Sequence, residues 1–181
     1  MAHQNPSLAE IAALLGEAKQ PPVDQWHPTH CGTSDMRIAR DGTWFHAGTP
    51  IGRPALVKLF SSILRREPDG GYVLVTPAEK LDIVVEDAPF VAVELTSEEQ
   101  GADRRLAFRL NTGDHVLAGA DNALRFEVGT DGAPRPYLQV RRGLDALIAR
   151  SVFYELAEIA LTEGGSPPGV WSAGSFFALP A

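Results

Sequence analysis

Four residues in the N-terminal part of the chain have side chains that bind metals or act as nucleophiles: His27, His30, Cys31 and His46. Histidine nitrogen and cysteine thiolate are ligands that Zn²⁺ prefers in proteins. The spacing is not that of a known closed zinc set, and Pro28 disfavours the helix that would align the first two histidines. No nucleophile-elbow sequence surrounds Cys31. We expect no metal and no catalytic residue here, and keep a metal- or thiol-dependent hydrolase as an alternative.

Arginines are the better candidates for ligand contacts, because two of them occupy equivalent places in a repeated pattern. The first copy runs from Met36 to Gly42 and continues as Arg53-x-x-Leu56-x-x-Leu59-Phe60. The second runs from Phe126 to Gly132 and continues as Arg141-x-x-Leu144-x-x-Leu147-Ile148. Each copy predicts a strand, an Asp-Gly turn, a returning strand and an amphipathic helix that opens on the arginine. Helix N-termini attract anions and arginine adds a bidentate donor, so Arg53, Arg141 and Arg37 are the predicted anion contacts.

Further polar and aromatic residues are expected around that ligand. Four of them stand at predicted strand ends and would form the rim: Asp35, Thr76, Glu79 and Asn111. Trp171 and Ser172 follow the last predicted helix in a glycine-rich segment and are expected to close over the ligand. The alternative for all of these residues is structural, since polar residues stabilise turns and tail aromatics pack against the fold.

Composition excludes several classes of function. The 181 residues carry a formal net charge of −7, which argues against a nucleic-acid partner because phosphate backbones need a basic face. No apolar run approaches the roughly 20 residues that span a bilayer. The single cysteine excludes an intrachain disulfide. The N-terminal residues resemble no signal peptide, so we expect a cytoplasmic protein without membrane contact. No dinucleotide or Walker-type loop is present, and no cofactor is expected.

The predicted elements indicate an α+β fold in two parts, residues 1–70 and 71–181. The first part begins with an amphipathic helix over Ser7–Lys19, opened by a capping box. Strands at Asp35–Arg40 and Thr43–Ala47 and a helix over Pro54–Arg66 follow, and the turn Pro68-Asp69-Gly70-Gly71 ends the unit.

Seven strand candidates and a long helix make up the second part. The strands are Tyr72–Thr76, Lys80–Glu86, Phe90–Thr96, Arg104–Leu110, His115–Ala118, Leu124–Gly129 and Tyr137–Val140. The helix is predicted over Arg142–Leu161. Seven antiparallel strands closed by one C-terminal helix are typical of a pleckstrin-homology-like (PH-like) barrel.

A set of short motifs together resembles a known family. They are Asp35-Met36-Arg37-Ile38, the following Asp-Gly-Thr-Trp turn, Pro50-Ile51-x-Arg53, Leu74-Val75-Thr76-Pro77-x-Glu79-Lys80, Glu86-Asp87-Ala88-Pro89-Phe90 and Ser151-Val152-Phe153-Tyr154-x-Leu156. From Pro22 to Leu179 the combination resembles an uncharacterised bacterial family, domain of unknown function 1285. The resemblance implies a duplicated α+β core, a PH-like C-terminal part, and a pocket between domains for a nucleotide-based ligand in signal transduction. It implies no catalytic residues.

These observations favour a ligand-sensing or signalling module that binds a small anionic, nucleotide-like molecule between its two halves. Binding would favour one relative placement of the halves, and a protein partner would read that placement. The alternatives are the hydrolase described above and a protein-interaction module without a small ligand.

Overall fold

The computed structural model describes residues 20–180, and these form two six-stranded sheets and two α-helices. The predicted helix over Ser7–Lys19 lies outside the described residues. None of the described helices is long and apolar enough to cross a membrane.

The first sheet contains six strands and is accompanied by the first helix. Its strands are β1 His30–Ile38, β2 Trp44–His46, β3 Thr49–Pro50, β4 Leu64–Arg66, β5 Tyr72–Val75 and β6 Lys80–Val85. Helix α1, Pro54–Ser62, connects β3 to β4. The strand order is β3-β2-β1-β6-β5-β4, and only the central pair, β1 and β6, is parallel.

The second sheet is followed by the second helix and a terminal hairpin. Its strands are β7 Phe90–Glu98, β8 Arg105–Leu110, β9 His115–Leu117, β10 Leu124–Val128, β11 Pro134–Arg141 and β12 Leu144–Ile148. Helix α2 covers Arg150–Glu163, and the hairpin consists of β13 Gly169–Ser172 and β14 Ser175–Ala178. The strand order is β10-β11-β12-β7-β8-β9, again with one parallel pair at the centre, β12 and β7.

The two sheets have the same topology. Adding six to each strand number of the first sheet gives the order of the second, read from its other edge. Each sheet is therefore a pair of three-stranded meanders joined through a central parallel pair. The prediction that the chain contains two related halves is confirmed by this shared strand order. The equivalent strands differ from those of the sequence repeat, however. Asp41-Gly42 connects β1 to β2, whereas Asp131-Gly132 connects β10 to β11, so the two turns are not equivalent.

The second copy of the repeat contains no helix at its arginine, which corrects the prediction of one over Arg142–Leu161. Leu144–Ile148 is strand β12, and its buried residues alternate: Leu144, Ala146 and Ile148. The helix begins only at Arg150 and ends at Glu163, followed by Gly164 as its C-cap with a φ of +59°. A short apolar run satisfies both a helical and a strand period, and here pairing with β11 and β7 decides for the strand.

Two strands assigned to a C-terminal barrel belong instead to the first sheet. Tyr72–Val75 pairs with β4 and β6, and Lys80–Val85 pairs with β1. The change of sheet falls between Val85 and Phe90, whereas residue 70 lies inside the turn between β4 and β5. Strand composition alone does not reveal which sheet a strand joins, because that depends on long-range pairing.

One apolar core extends through both halves. It includes fully buried side chains from the first sheet, such as Ile38 and Trp44, and from the second, such as Phe90 and Phe108. Helix α2 contributes Val152, Leu156 and Ala160 to the same cluster. The shared core fixes the two sheets against each other, and the spaces between them are therefore defined by the fold.

Candidate functional site

A cavity of about 280 Å³ lies where helix α1 of the first half meets the second sheet. We call it the junction cavity. Lys58 reaches it from α1, and the second sheet contributes Phe90 from β7, His115 from β9 and Arg141 from β11. The remaining lining residues are Gln20, Leu110, Gly113, Asp114, Val116 and Val140. The cavity thus has walls from both halves and from the segment that precedes the first sheet.

Arg141 is the principal cation of this cavity. Its Nη2 donates a hydrogen bond to the backbone carbonyl of Ser61 in the last turn of α1, and its Nη1 donates to Oε1 of Gln20 at 3.0 Å. The guanidinium carbon lies 5.5 Å from the centre of the Phe90 ring. Burial lowers the pKa of Arg141, although an arginine stays charged at any physiological pH. The positive charge of Arg141 therefore lies in a half-buried environment, where electrostatic interactions are stronger than in water.

No carboxylate among residues 20–180 forms an ion pair with Arg141. Of its five N–H donors, the two described hydrogen bonds use two. Two other arginines with little exposed side chain do have carboxylate partners: Arg65 pairs with Glu67 and Arg104 with Glu163. Arg141 is thus half-buried, and its two described hydrogen bonds leave several of its N–H donors unused.

Lys58, Asp114 and His115 surround this arginine with further polar groups. Lys58 Nζ lies 3.3 Å from Asp114 Oδ1, and the hydroxyl of Thr112 donates to the other carboxylate oxygen. Burial lowers the pKa of His115 below its ordinary value of 6.5, and nearby Arg109 lowers it further, so His115 is neutral at pH 7. Arg141 and Lys58 outweigh Asp114, and the cavity is locally positive in a chain whose net charge is −7.

Comparison with known proteins assigns the chain to a family. The N-terminal domain model described as "Domain of unknown function (DUF1285)" matches residues 21–88, and the C-terminal model, "Protein of unknown function (DUF1285)", matches residues 89–179. The chain belongs to the DUF1285 family. The division between the two models falls between β6 and β7, where the chain passes from one sheet to the other.

Two solved structures of DUF1285 proteins resemble this chain. The one from Silicibacter pomeroyi DSS-3 is 48% identical, covers 93% of both chains and has a TM-score of 0.83. The one from Shewanella baltica OS155 is 27% identical, covers 72% of this chain and 93% of its own, and has a TM-score of 0.54. No protein of curated function matches the chain.

Of the three arginines predicted to contact an anion, this DUF1285 structure places only Arg141 in the junction cavity. Arg37 on β1 forms an ion pair with Glu86, and its guanidinium lies 4.3 Å from the Phe45 ring centre. Arg53 is the exposed N-cap residue of α1, at the opposite end of the helix from Ser61. The prediction that Arg53 precedes a helix is confirmed, but the corresponding prediction for Arg141 is wrong, since Arg141 ends strand β11.

Two of the four predicted rim residues, Thr76 and Asn111, make structural hydrogen bonds through their side chains. The Thr76 hydroxyl accepts hydrogen bonds from the backbone of Ala78 and Glu79 and so stabilises the turn between β5 and β6. Asp35 is exposed on β1 with a φ of +55°. Asn111 joins the two halves: its Oδ1 accepts from Val91 N–H at 3.0 Å, and its Nδ2 donates to the Gly42 carbonyl at 3.2 Å. None of the four lines the junction cavity.

Trp171 and Ser172 lie in the terminal hairpin, which packs against the second half. The Trp171 ring contacts the Phe176 ring, with centroids 5.3 Å apart. Ser172 is fully buried, and its hydroxyl accepts from Leu106 N–H at 2.9 Å and donates to the Ala118 carbonyl at 2.7 Å. The junction cavity contains neither residue.

The histidine and cysteine residues are spread along an exposed part of the first half. His30 Nε2 lies 3.0 Å from Asp82 Oδ2, and the Cys31 thiol contacts the carbonyl of Thr29 at 3.1 Å. His27 lines a separate open cleft that also contains Arg66 and Arg142. Within residues 20–180 no group of three His, Cys, Asp or Glu side chains is placed to hold a metal ion.

Sequence reasoning missed Lys58, His115 and Asp114. Lys58 stands in the middle of a predicted helix, Asp114 ends a predicted turn and His115 begins the strand after it, so none carries a recognisable motif. Lys58 reaches this cavity because α1 lies against the second sheet, whereas Asp114 and His115 belong to the β8–β9 hairpin of that sheet. The convergence arises from tertiary packing, and no spacing in the chain indicates it.

Proposed function

We propose that this DUF1285 protein is a sensing module that binds a small anionic, nucleotide-like ligand in the junction cavity. The observation that carries the proposal is the half-buried guanidinium of Arg141, which has free donors and forms no ion pair with a described carboxylate, although Asp114 lies near enough to interact with it. Lys58 adds a second cation, and neutral His115 adds a ring nitrogen that donates and another that accepts. Planar guanidinium groups bind phosphate and carboxylate in bidentate fashion, which suits Arg141 to such a ligand.

The size of the cavity sets the class of ligand. A volume of about 280 Å³ lies just below the roughly 300 to 1,000 Å³ of ordinary ligand pockets. A mononucleotide or a smaller phosphorylated molecule fits this volume better than a dinucleotide. Because Asp114 already neutralises part of the Lys58 charge, Arg141 supplies the main interaction with the anionic group.

Binding in this place provides a mechanism for signalling. An anion held by Arg141 and Lys58 would connect the second sheet to α1, since the two cations belong to different halves. The ligand would then favour one placement of α1, and a protein partner would recognise the exposed side of that helix, where Leu59 is 58% exposed. The proposal also includes a cytoplasmic location and no nucleic-acid or membrane partner, as expected from the sequence.

The same proposal includes a PH-like fold for the C-terminal half, and the second sheet together with α2 supports it. Helix α2 buries Val152, Leu156 and Ala160 in the core. A helix that closes one open end of a curled sheet is the arrangement found in PH-like folds, although such a likeness assigns no ligand.

The test is calorimetric titration of the full chain with inorganic phosphate, AMP and adenosine. We expect AMP to bind and adenosine to fail, since adenosine lacks the anionic group. The Arg141→Gln variant should weaken AMP binding by about 10- to 100-fold, because a hydrogen bond to a charged group is worth about 1.5 to 3 kcal/mol.

Two further variants separate ligand contacts from folding. Lys58→Gln should also weaken AMP binding while leaving the fold intact, since Lys58 is mostly exposed and pairs only with Asp114 among the described residues. Arg142→Gln is the matched control: it removes the neighbouring exposed arginine, which does not line the cavity, and should leave binding unchanged. Equal binding of adenosine and AMP, or equal losses in Arg141→Gln and Arg142→Gln, would contradict the proposal.

A further inference from the structure

We propose that two copies of this chain associate through the open edge of strand β10, with the two β10 strands antiparallel about a two-fold axis at Phe126. The second sheets of both copies would then form one continuous sheet. This inference does not depend on the ligand proposed above.

Among the four edges of the two six-stranded sheets, β10 is the one suited to pairing. The other edges are short: β3 has two residues and β4 and β9 have three each, whereas β10 has five. The β3 edge contains Pro50, and β4 is held against the preceding segment by Arg65, which donates to the carbonyls of Val23 and Trp26. Strand β10 contains no proline, and its pairing with β11 continues over five residues without a bulge. Long regular edges are the ones that accept another strand.

The hydrogen-bonding groups of β10 alternate between β11 and the open edge. Ala123 carbonyl accepts from Gln139 N–H, and Gly129 N–H donates to the Ala133 carbonyl, so odd-numbered residues face β11. The N–H and C=O groups of Leu124, Phe126 and Val128 therefore point to the open edge. None of these three residues makes a described backbone hydrogen bond outside its own sheet.

A two-fold axis at Phe126 uses all of these groups. Phe126 of each copy would pair with Phe126 of the other, and Leu124 would pair with Val128 of the second copy, as hydrogen-bonded pairs of an antiparallel ladder. Each pair exchanges two N–H···O bonds, so every edge-facing group of the three residues gains a partner.

The same register gives complementary charges. Arg125 lies opposite Glu127 of the second copy, and Glu127 lies opposite Arg125, in the closer non-hydrogen-bonded pairs. Within one copy these side chains already share a surface, since Arg125 Nε lies 2.8 Å from Glu127 Oε1. Opposite charges directly across an antiparallel pair stabilise it, whereas a shift of the register by two residues would break both cross-strand contacts. The sequence of β10 is thus complementary to itself in this one register.

Exposed apolar surface continues from this edge. Val128 is 68% exposed although its side chain is on the same face of the sheet as buried Leu124. A mostly apolar groove of about 330 Å³ adjoins it and includes Leu161 of α2, which is 75% exposed. A second copy would bring Leu124 to Val128 and cover this end of the groove. Apolar exposure beside an unpaired edge is typical of a surface that associates.

The first test is sedimentation equilibrium of the full chain over the micromolar range, where we expect a species of twice the 19.5 kDa mass. Val128→Pro removes an edge-facing N–H without removing a hydrogen bond to β11. Because two hydrogen bonds per dimer are lost, this variant should associate at least about tenfold more weakly than Val128→Ala. Val128→Ala is the matched control, since it trims the side chain and keeps the N–H. A monomer at all concentrations, or equal association of the two variants, would overturn the proposal and leave the edge to a strand from another protein.

The second test fixes the register by disulfide formation in a Cys31→Ser background. Arg125→Cys and Glu127→Cys protomers, mixed and oxidised, should form a cross-linked dimer, because residues in a non-hydrogen-bonded pair have Cα atoms about 4.5 Å apart. Each variant oxidised alone should give little product, since its two cysteines are offset along the strands. Equal cross-linking with and without mixing would rule out this register. Circular dichroism verifies the fold of Arg125→Cys, which loses an ion pair to Asp145.

Discussion

The guanidinium of Arg141 donates a hydrogen bond to the backbone carbonyl of Ser61, and this contact joins the end of β11 to the last turn of α1. Carbonyl groups at a helix C-terminus lack partners within the helix, and a cation there also interacts favourably with the helix dipole. One side chain therefore stabilises the junction of the two halves and lines the cavity between them. A ligand that binds Arg141 acts directly on the contact that holds α1 in place.

The contact predicts a stability effect that is separate from ligand binding. Without ligand, Arg141→Gln should lower the free energy of unfolding by about 1 to 2 kcal/mol, because the Ser61 carbonyl loses a charged donor. Arg142→Gln should change it by less than about 0.5 kcal/mol, as is usual for exposed positions. Urea unfolding measures both values. Equal stabilities of the two variants would show that the Arg141 contact contributes little to the junction.

Gly42 and Gly48 provide a matched test of the contact between the β1–β2 turn and Asn111. Both glycines have positive φ, +89° and +80°, so alanine strains the backbone similarly at each. A Cβ at Gly42 would lie 2.6 Å from Asn111 Nδ2 and 3.0 Å from Val91 Cγ2, whereas one at Gly48 meets no atom within 4 Å. Thermal unfolding should show that Gly42→Ala costs about 1 to 3 kcal/mol more than Gly48→Ala. A smaller difference would mean that the two halves separate easily at this turn.

Ser172 and Ser175 distinguish a structural from a ligand-binding role for the terminal hairpin. Ser172→Ala removes the acceptor of the Leu106 N–H and should cost about 1 to 3 kcal/mol, because that donor is buried. Ser175→Ala, in the same hairpin and without a described side-chain hydrogen bond, should be nearly neutral. Both variants should bind AMP like the unmodified chain, since neither residue lines the junction cavity. A selective loss of binding in Ser172→Ala would place the hairpin at the ligand after all.

The ion pair between Glu163 and Arg104 leads us to expect a lower free energy of unfolding in acid. A hydrogen bond from Arg104 lowers the pKa of Glu163 below its ordinary value of 4.5, and a bond from Gly101 N–H lowers it further. A depressed folded-state pKa stabilises the protein above the unfolded-state value, and this contribution disappears as the pH falls through the folded-state value. Glu163→Gln should therefore be less stable than the unmodified chain at pH 7 and equally stable below the lowered pKa.

Urea unfolding at several pH values tests this prediction, with Glu158→Gln as the control. Glu158 is exposed on the same helix and forms no ion pair among the described residues. Its variant should differ from the unmodified chain far less than Glu163→Gln does at pH 7, because its described electrostatic neighbour is another carboxylate, Glu155. A difference between Glu163→Gln and the unmodified chain that persists in strong acid would show that the effect is packing and not charge.

Most strands were predictable because the signals that specify them are local. The seven strands predicted between Tyr72 and Val140 occur within three residues of their expected bounds. Alternating apolar residues and Asp-Gly turns are visible in a short window of sequence, and Pro54 marks the start of α1 in the same way. The prediction of a helix at Leu144–Ile148 was wrong, because the apolar residues of so short a run fit both the helical period and the strand period. Only pairing with the neighbouring strands β11 and β7 shows that the run is a strand.

The sequence by itself determined most of the local elements and included Arg141 among the candidate contacts. It also predicted a duplication, but from two segments that are not equivalent in the structure. Tertiary structure alone decided that Tyr72–Val75 and Lys80–Val85 join the first sheet, and that Lys58, Asp114 and His115 surround Arg141. Strand pairing and the meeting of charges involve residues distant in the chain, and they are selected by burial of a shared core. No short stretch of sequence carries that information, because each half acquires its cavity wall only when it packs against the other.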